Sequence, residues 1–202
     1  MLYSFAYLVA TYSIMAQAEK GEVISSGEVI SSADGDFRAL EAMPWVDHKA
    51  VIDDRTQIEN ILIHYTWLID FPPRDDLSSV FTEDAIFDLP EMDYKMEGLA
   101  TITKTIKDIE DLLDYSPHYI SNIQIKIQGD KAISRSYFSA AVGRKGTPGG
   151  DEFYEGGRYF DQFVRTINGW RIRKRTCYLD WSSGNKEVVN VGGIGDAITD
   201  NV

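Results

Sequence analysis

The run GRYFDQFVRTINGWRIRKRTCYLDW, Gly157 to Trp181, constrains the fold more than any other stretch of the chain. Two apolar-rich arms flank Asn168-Gly169. Asn-Gly between β-type runs is a strong hairpin signal, because a tight two-residue turn needs φ > 0 at both central residues. On the incoming arm Tyr159, Asp161, Phe163 and Arg165 alternate with Phe160, Gln162 and Val164. On the outgoing arm Trp170 and Ile172 share one side, with Arg171 and Arg173 opposite. Each arm is longer than the average strand of about five or six residues. Long, paired, aromatic-rich arms predict the centre of a strongly twisted sheet. Arg171, Arg173, Lys174 and Arg175 put four positive charges within five residues. Most of them belong on a solvated outer face, which leaves room for one Arg pointing inward at a developing negative charge.

The 202 residues suffice for one domain with a sizeable core plus tails. A net charge of −12 makes nucleic acid and anionic membranes poor partners, and neither is expected. The single cysteine, Cys177, excludes an intrachain disulfide and a cysteine metal cluster. Three histidines, His48, His64 and His118, leave little room for a histidine-rich metal site. The chain has no Gly-rich phosphate loop and no nucleophile elbow. The expectation is therefore no metal and no organic cofactor.

Residues 1–18 are apolar but few for a membrane span. Ala16-Gln17-Ala18 would suit signal-peptide cleavage, yet the start carries no Lys or Arg. A cytoplasmic location is expected, with secretion after cleavage behind Ala18 as the alternative. GEVISS occurs twice in tandem, Gly21 to Ser26 and Gly27 to Ser32. Residues 1–42 read as an apolar N-terminus and a disordered linker, 43–183 as the folded domain, and 184–202 as a tail that packs weakly or covers an opening.

Within the domain, Asp54-Arg55-Thr56-Gln57 has the capping-box pattern, and Ile58, Ile61, Leu62, Tyr65, Leu68 and Ile69 follow at helical spacing. Pro72-Pro73 stop that helix near Phe71. Asp70 then sits at the helix's negative end, where a carboxylate is disfavoured unless a cation or N–H donor compensates. Arg74 to Glu83 reads as a short second helix, and Leu99 to Leu113 as a third, amphipathic one. Strands are expected at Ala85 to Leu89, Tyr94 to Gly98, from His118 onward with a bulge near Asn122, and from Lys131 to Arg144. Helices first and long antiparallel strands last make the class α+β. Three helices on a strongly curved, mostly antiparallel sheet of about six strands would enclose a cone with an apolar pocket at its open end.

The pieces DDRTQIENILIHYTWLID, FTEDAIFDLP, His118 with Asn122, GDKAISRSYF, GGRYFDQFVR and NGWRIRKRTCYLDW, in that order and spacing, resemble a SnoaL-like domain of the nuclear transport factor two superfamily. The resemblance covers about Val46 to Ser183. It is greatest to the branch holding bile-acid dehydratase, hexachlorocyclohexane dehydrochlorinase and scytalone dehydratase. That branch uses an Asp–His dyad, with the Asp ending the first helix and the His opening the strand after the third. Asp70 and His118 stand at those places. The resemblance also implies a polar helper at Tyr65, five before the Asp, and at Arg175, five past Trp170. Scytalone dehydratase's second histidine has no counterpart here.

The resemblance thus implies a cofactor-independent lyase or isomerase acting on a hydrophobic cyclic small molecule. A non-catalytic binding or assembly module is the alternative. His118 would take a proton from carbon, and Asp70 would orient it; the dyad requires an Asp70 oxygen about 2.6–3.2 Å from a ring nitrogen. Tyr65, on the helix's apolar stripe, is either a core residue or an oxygen-binding group. Arg175 is either a sheet-face ion-pair partner or a stabiliser of a leaving oxyanion. Trp67, Asn122, Tyr137, Tyr159 and Phe163 are candidate substrate-binding residues. Relatives in the branch associate through the sheet, so a homo-oligomer, trimer or dimer, is expected.

Overall fold

The computed structural model describes residues 49–190, with side chains from Asp53. The expectations for residues 1–42, and for most of the tail beyond Asn190, lie outside the described residues. Among the described residues no helix is long and apolar enough to cross a membrane.

Helix α1, Lys49–Asp70, buries Ile58, Leu62, Tyr65 and Ile69, a stripe at steps of three and four residues, against the sheet. It begins upstream of Asp54, so the capping-box expectation fails. Asp54 lies within the first turns and serves the hairpin instead. Its carboxylate accepts from the Arg165 guanidinium and, at 3.2 Å, from Trp170 Nε1. The helix ends at Asp70, ahead of the two prolines.

The helix expected from Arg74 to Glu83 does not form. Arg74 takes a left-handed backbone (φ 53°), and its side chain closes the end of α1. Nε donates to Ile69 O at 2.6 Å and Nη2 to Asp70 O at 2.9 Å. A turn then follows, in which Leu77 O accepts from Val80 N and Phe81 N. The chain enters β1, Phe81–Leu89, four residues earlier than expected, because Val80 O accepts from Ile172 N and draws the segment onto the sheet. Leu77, Val80 and Phe81 are buried all the same. Their helical spacing is met by a turn running into a strand. Among the described residues the architecture is two α-helices on a six-stranded sheet, with single 3-10 turns at Pro90–Met92 and Lys186–Val188.

The other elements are β2 (Tyr94–Glu97), α2 (Leu99–Glu110), β3 (His118–Gln128), β4 (Lys131–Gly143), β5 (Glu152–Thr166) and β6 (Gly169–Gly184). The sheet order is β2-β1-β6-β5-β4-β3, with β1 parallel to β6 and every other pair antiparallel. The class is therefore α+β, with a curved, mostly antiparallel sheet. Helix α1 packs on β3 and β6, and α2 on β1 and β2.

The β5–β6 hairpin is central, as expected, but its corner differs. Thr166 pairs with Gly169, and Ile167-Asn168 fill the turn. Of Asn168 and Gly169 only Gly169 has positive φ, 94°. The geometry is a turn followed by one left-handed residue, which is the alternative hairpin closure. The tail contributes to the fold up to the last described residues. Val188 and Val189 are buried against Ala140, Val142 and Phe153.

Candidate active site

Two element ends meet at one point. Asp70 closes α1, and His118 opens β3. Asp70 Oδ2 accepts from the His118 backbone N–H at 3.0 Å, and Oδ1 lies 2.7 Å from His118 Nδ1. Ser116 O is also 2.8 Å from Nδ1. Both neighbours of Nδ1 are acceptors, so Nδ1 carries a proton in either charge state. In the neutral ring the lone pair is then on Nε2. Two donors thus answer the disfavoured position of the Asp70 carboxylate, while Arg74 satisfies the helix's last carbonyls. Burial pulls the His118 pKa down, but the Asp70 hydrogen bond and the fields of Glu110, Asp70 and Glu155 outweigh it, and the net shift is upward.

His118 stands in the wall of a cavity of about 160 Å³. Phe87, Met96, Ile106, Phe138 and Leu179 make most of its apolar lining, and Val189 from the tail borders it. Tyr65 and Tyr159 line it too. Tyr159 stacks on Phe138 with ring centroids 4.4 Å apart, and Tyr65 meets Tyr159 edge-on at 6.3 Å. Burial pushes the Tyr65 phenol pKa upward, and the Arg175 charge only partly offsets it, so the group is a neutral O–H.

Arg175 points inward, but not into the cavity. It is the direct cross-strand partner of Asp161, and both side chains are fully buried. Nε donates to Asp161 Oδ1 at 2.7 Å and Nη2 to Oδ2 at 2.9 Å. The guanidinium carbon lies 4.3 Å from the Tyr65 ring centroid and 4.2 Å from that of Tyr159. Asp161 takes Nε and Nη2, Nη1 is buried with no hydrogen-bond partner among the described residues, and Arg175, outside the cavity lining, backs the two tyrosines. The other three cations of the run do lie outside. Arg171 donates to Ser78 O, Arg173 pairs with Asp84 and Lys174 with Asp88.

Of the five residues expected to bind substrate, only Tyr159 lines the cavity. Trp67 is 61% exposed and stacks on Phe71, because it lies off the buried stripe of α1. Asn122 forms the β3 bulge with φ 53° and, with Tyr137, borders a separate shallow groove. Phe163 is sealed in the core.

Two cavity carboxyls in the field of His118 escaped the sequence reading, Glu110 and Glu155. Burial raises the carboxyl pKa of both, and the His118 field only partly offsets it. Each had a signal. Glu110 continues the buried stripe Ile102, Ile106 of α2, and Glu155 shares a strand face with Phe153, Tyr159 and Phe163. A carboxyl on an apolar face calls for a reason.

A SnoaL-like domain is matched over residues 50–176. The chain belongs to the SnoaL-like domain family. An uncharacterised Mycobacterium tuberculosis protein is 32% identical over 130 residues, 62% of this chain and 85% of its own. Among solved structures, an aromatic ring hydroxylase-like protein from Novosphingobium aromaticivorans is 28% identical with TM-score 0.59, covering 69% of this chain and 98% of that one. A scytalone dehydratase-like protein from the same organism is 22% identical with TM-score 0.60, covering 66% and 89%. A hexachlorocyclohexane dehydrochlorinase is 13% identical with TM-score 0.59, covering 66% and 90%. At that identity the last two speak for a shared SnoaL-like fold.

Proposed function

We propose that this SnoaL-like protein is a lyase or isomerase that moves a proton on a hydrophobic cyclic small molecule. One observation carries the reading: His118 Nδ1 is held by Asp70 at 2.7 Å, at the wall of an apolar cavity. In this reading Nε2 takes the proton from carbon, and the Asp70 carboxylate stabilises the imidazolium that forms. The Tyr65 hydroxyl donates to the substrate oxygen. A cavity near 150 Å³ holds about one benzene-sized ring, so a single ring fits within the walls and a larger polycycle would extend from the mouth. The SnoaL-like neighbours named as a dehydratase-like protein and a dehydrochlorinase support elimination. A binding or assembly module would be favoured by a cavity filled with its own side chains, and about 160 Å³ stays open here.

Mass spectrometry of co-purified ligand supplies the candidate substrate. With it, His118→Ala abolishes turnover while circular dichroism shows the protein still folded. Asp70→Asn lowers kcat by roughly 10²- to 10⁴-fold with little change in KM. Tyr65→Phe costs about 1.5–3 kcal/mol, one hydrogen bond to a charged oxygen. Turnover by His118→Ala at the wild-type rate sinks the proton-abstraction reading.

A further inference from the structure

Glu110 ends α2 and has no role in the reading above. It is 7% exposed and lines the cavity, and its Oε2 is buried with no hydrogen-bond partner among the described residues. Ser116 Oγ stands beside it, also buried and unpartnered, and no hydrogen bond of ordinary geometry closes between the two. A buried polar atom without a partner is costly, and a fold that keeps one generally has a use for it. The helix end sharpens the point. The carbonyls terminating α2 set a negative potential at Glu110, which disfavours a carboxylate there.

Charged and polar groups face Glu110 from several elements. His118 on β3, Ser116 just before it and Arg74 after α1 favour its anion; Asp70 at the end of α1 opposes it, and Glu155 on β5 is a further carboxyl in the same field. Burial outweighs the favourable ones, and the carboxyl pKa rises. His118 therefore has two carboxyl neighbours of opposite kind. Asp70 accepts two hydrogen bonds from it, while Glu110 receives none and is free to be a donor.

We propose that Glu110 is the acid of the site, a neutral carboxyl that donates to the substrate oxygen and protonates it as the C–O bond breaks. This rests on the reading of His118 as the base. The step balances. His118 Nε2 takes the proton from carbon, its electron pair becomes the C=C bond, and the C–O pair leaves on oxygen. Oxygen takes the Glu110 proton and departs as water. The imidazolium then returns a proton to the Glu110 carboxylate. The substrate class follows: a neutral, single-ring alcohol with an acidic C–H beside the carbinol carbon. Anionic substrates are disfavoured, since no Lys or Arg lines the cavity among the described residues and Arg175 is held behind it by Asp161.

Cyclohexanone labelled with 13C at the carbonyl is the probe, being one neutral ring that only accepts hydrogen bonds. Bound to the wild-type protein, its carbonyl resonance should lie downfield of its position in Glu110→Leu, with Glu110→Gln between them. Raising the pH until the carboxyl ionises should collapse the wild-type signal onto the Glu110→Leu position. Equal bound shifts in wild type and Glu110→Leu, or failure of cyclohexanone to enter the wild-type cavity, overturn the proposal. Glu110→Gln keeps the volume and provides the same comparison if Glu110→Leu fails to fold. His118→Ala should retain the downfield shift, and its loss there would make His118 the donor and overturn the assignment. A retained shift in a His118→Ala protein that still turns over its substrate would instead remove His118 as the base and leave Glu110 as the donor.

Discussion

The chemistry of His118 is set by which of its neighbours accept and which repel. Asp70 and Ser116 fix the proton on Nδ1, and the Asp70 hydrogen bond leads what favours the cation against burial. The folded pKa is raised above the ordinary 6.5. Two consequences follow, of opposite sign. The free-base form needed to take a proton is populated only above the raised value, so the acidic limb of kcat/KM should lie above pH 6.5. The native state binds more protons than the unfolded chain between 6.5 and the raised value, so the stability from this group is present below 6.5 and lost as pH climbs through that window. Asp70→Asn should move the acidic limb downward and flatten the fall in melting temperature. A limb that stays put in Asp70→Asn would show that Asp70 does not act on the ring.

At the scale of elements, two bulges decide which side chains reach the interior. The β5–β6 register shifts between Gln162 and Phe163, opposite Ile172 to Lys174. Trp170 and Ile172 face inward before the shift; Arg175, Cys177 and Leu179 face inward after it. A strictly alternating strand would have placed Arg175 outside with Arg171 and Arg173. Its burial makes Asp161 obligatory, and Asp161→Ala, leaving an uncompensated buried cation, should destabilise the fold by about 3–5 kcal/mol in denaturant titration. A loss under about 1 kcal/mol would mean the pair is not a structural anchor. The second shift, between Gly156 and Gly157, brings backbone against backbone. A Cβ on Gly157 would lie 1.9 Å from Tyr178 O, so the close approach there requires glycine.

For the whole molecule, the exposed large apolar side chains are the feature a monomer leaves unexplained. Trp67 stacks on Phe71 with Ile63 nearby on α1, and Tyr119, Tyr137, Tyr154 and Trp181 stand out from the strands. Contiguous exposed apolar surface marks contact sites. A homo-oligomer, trimer or dimer, is expected at micromolar concentration. Light scattering that returns only the monomer mass would refute it, and Tyr119→Lys with Tyr137→Lys should lower the assembled mass if the strand face is the contact.

Local pattern sufficed wherever a local force acts alone. Alternation and Asn-Gly marked the β5–β6 hairpin, apolar spacing marked α1 and α2, the prolines ended α1, and the broken alternation marked the bulge at Asn122. Asp70 and His118 were legible through their places in the SnoaL-like order, one at a helix end and one at a strand start. The tertiary structure decided what depends on distant partners. Arg74 to Glu83 became a turn and a strand because β6 offered it hydrogen bonds and Arg74 was needed at the end of α1. Arg175 turned inward because a bulge changed its phase, and then faced Asp161 rather than the cavity. Trp67, Asn122, Tyr137 and Phe163 fell away from the cavity because its wall is assembled from all six strands and both described helices, and no single segment records where that wall lies. Glu110 was overlooked for the same reason. Its spacing places it on a buried face, but only the packing of α2 beside His118 shows that this face opens onto a cavity.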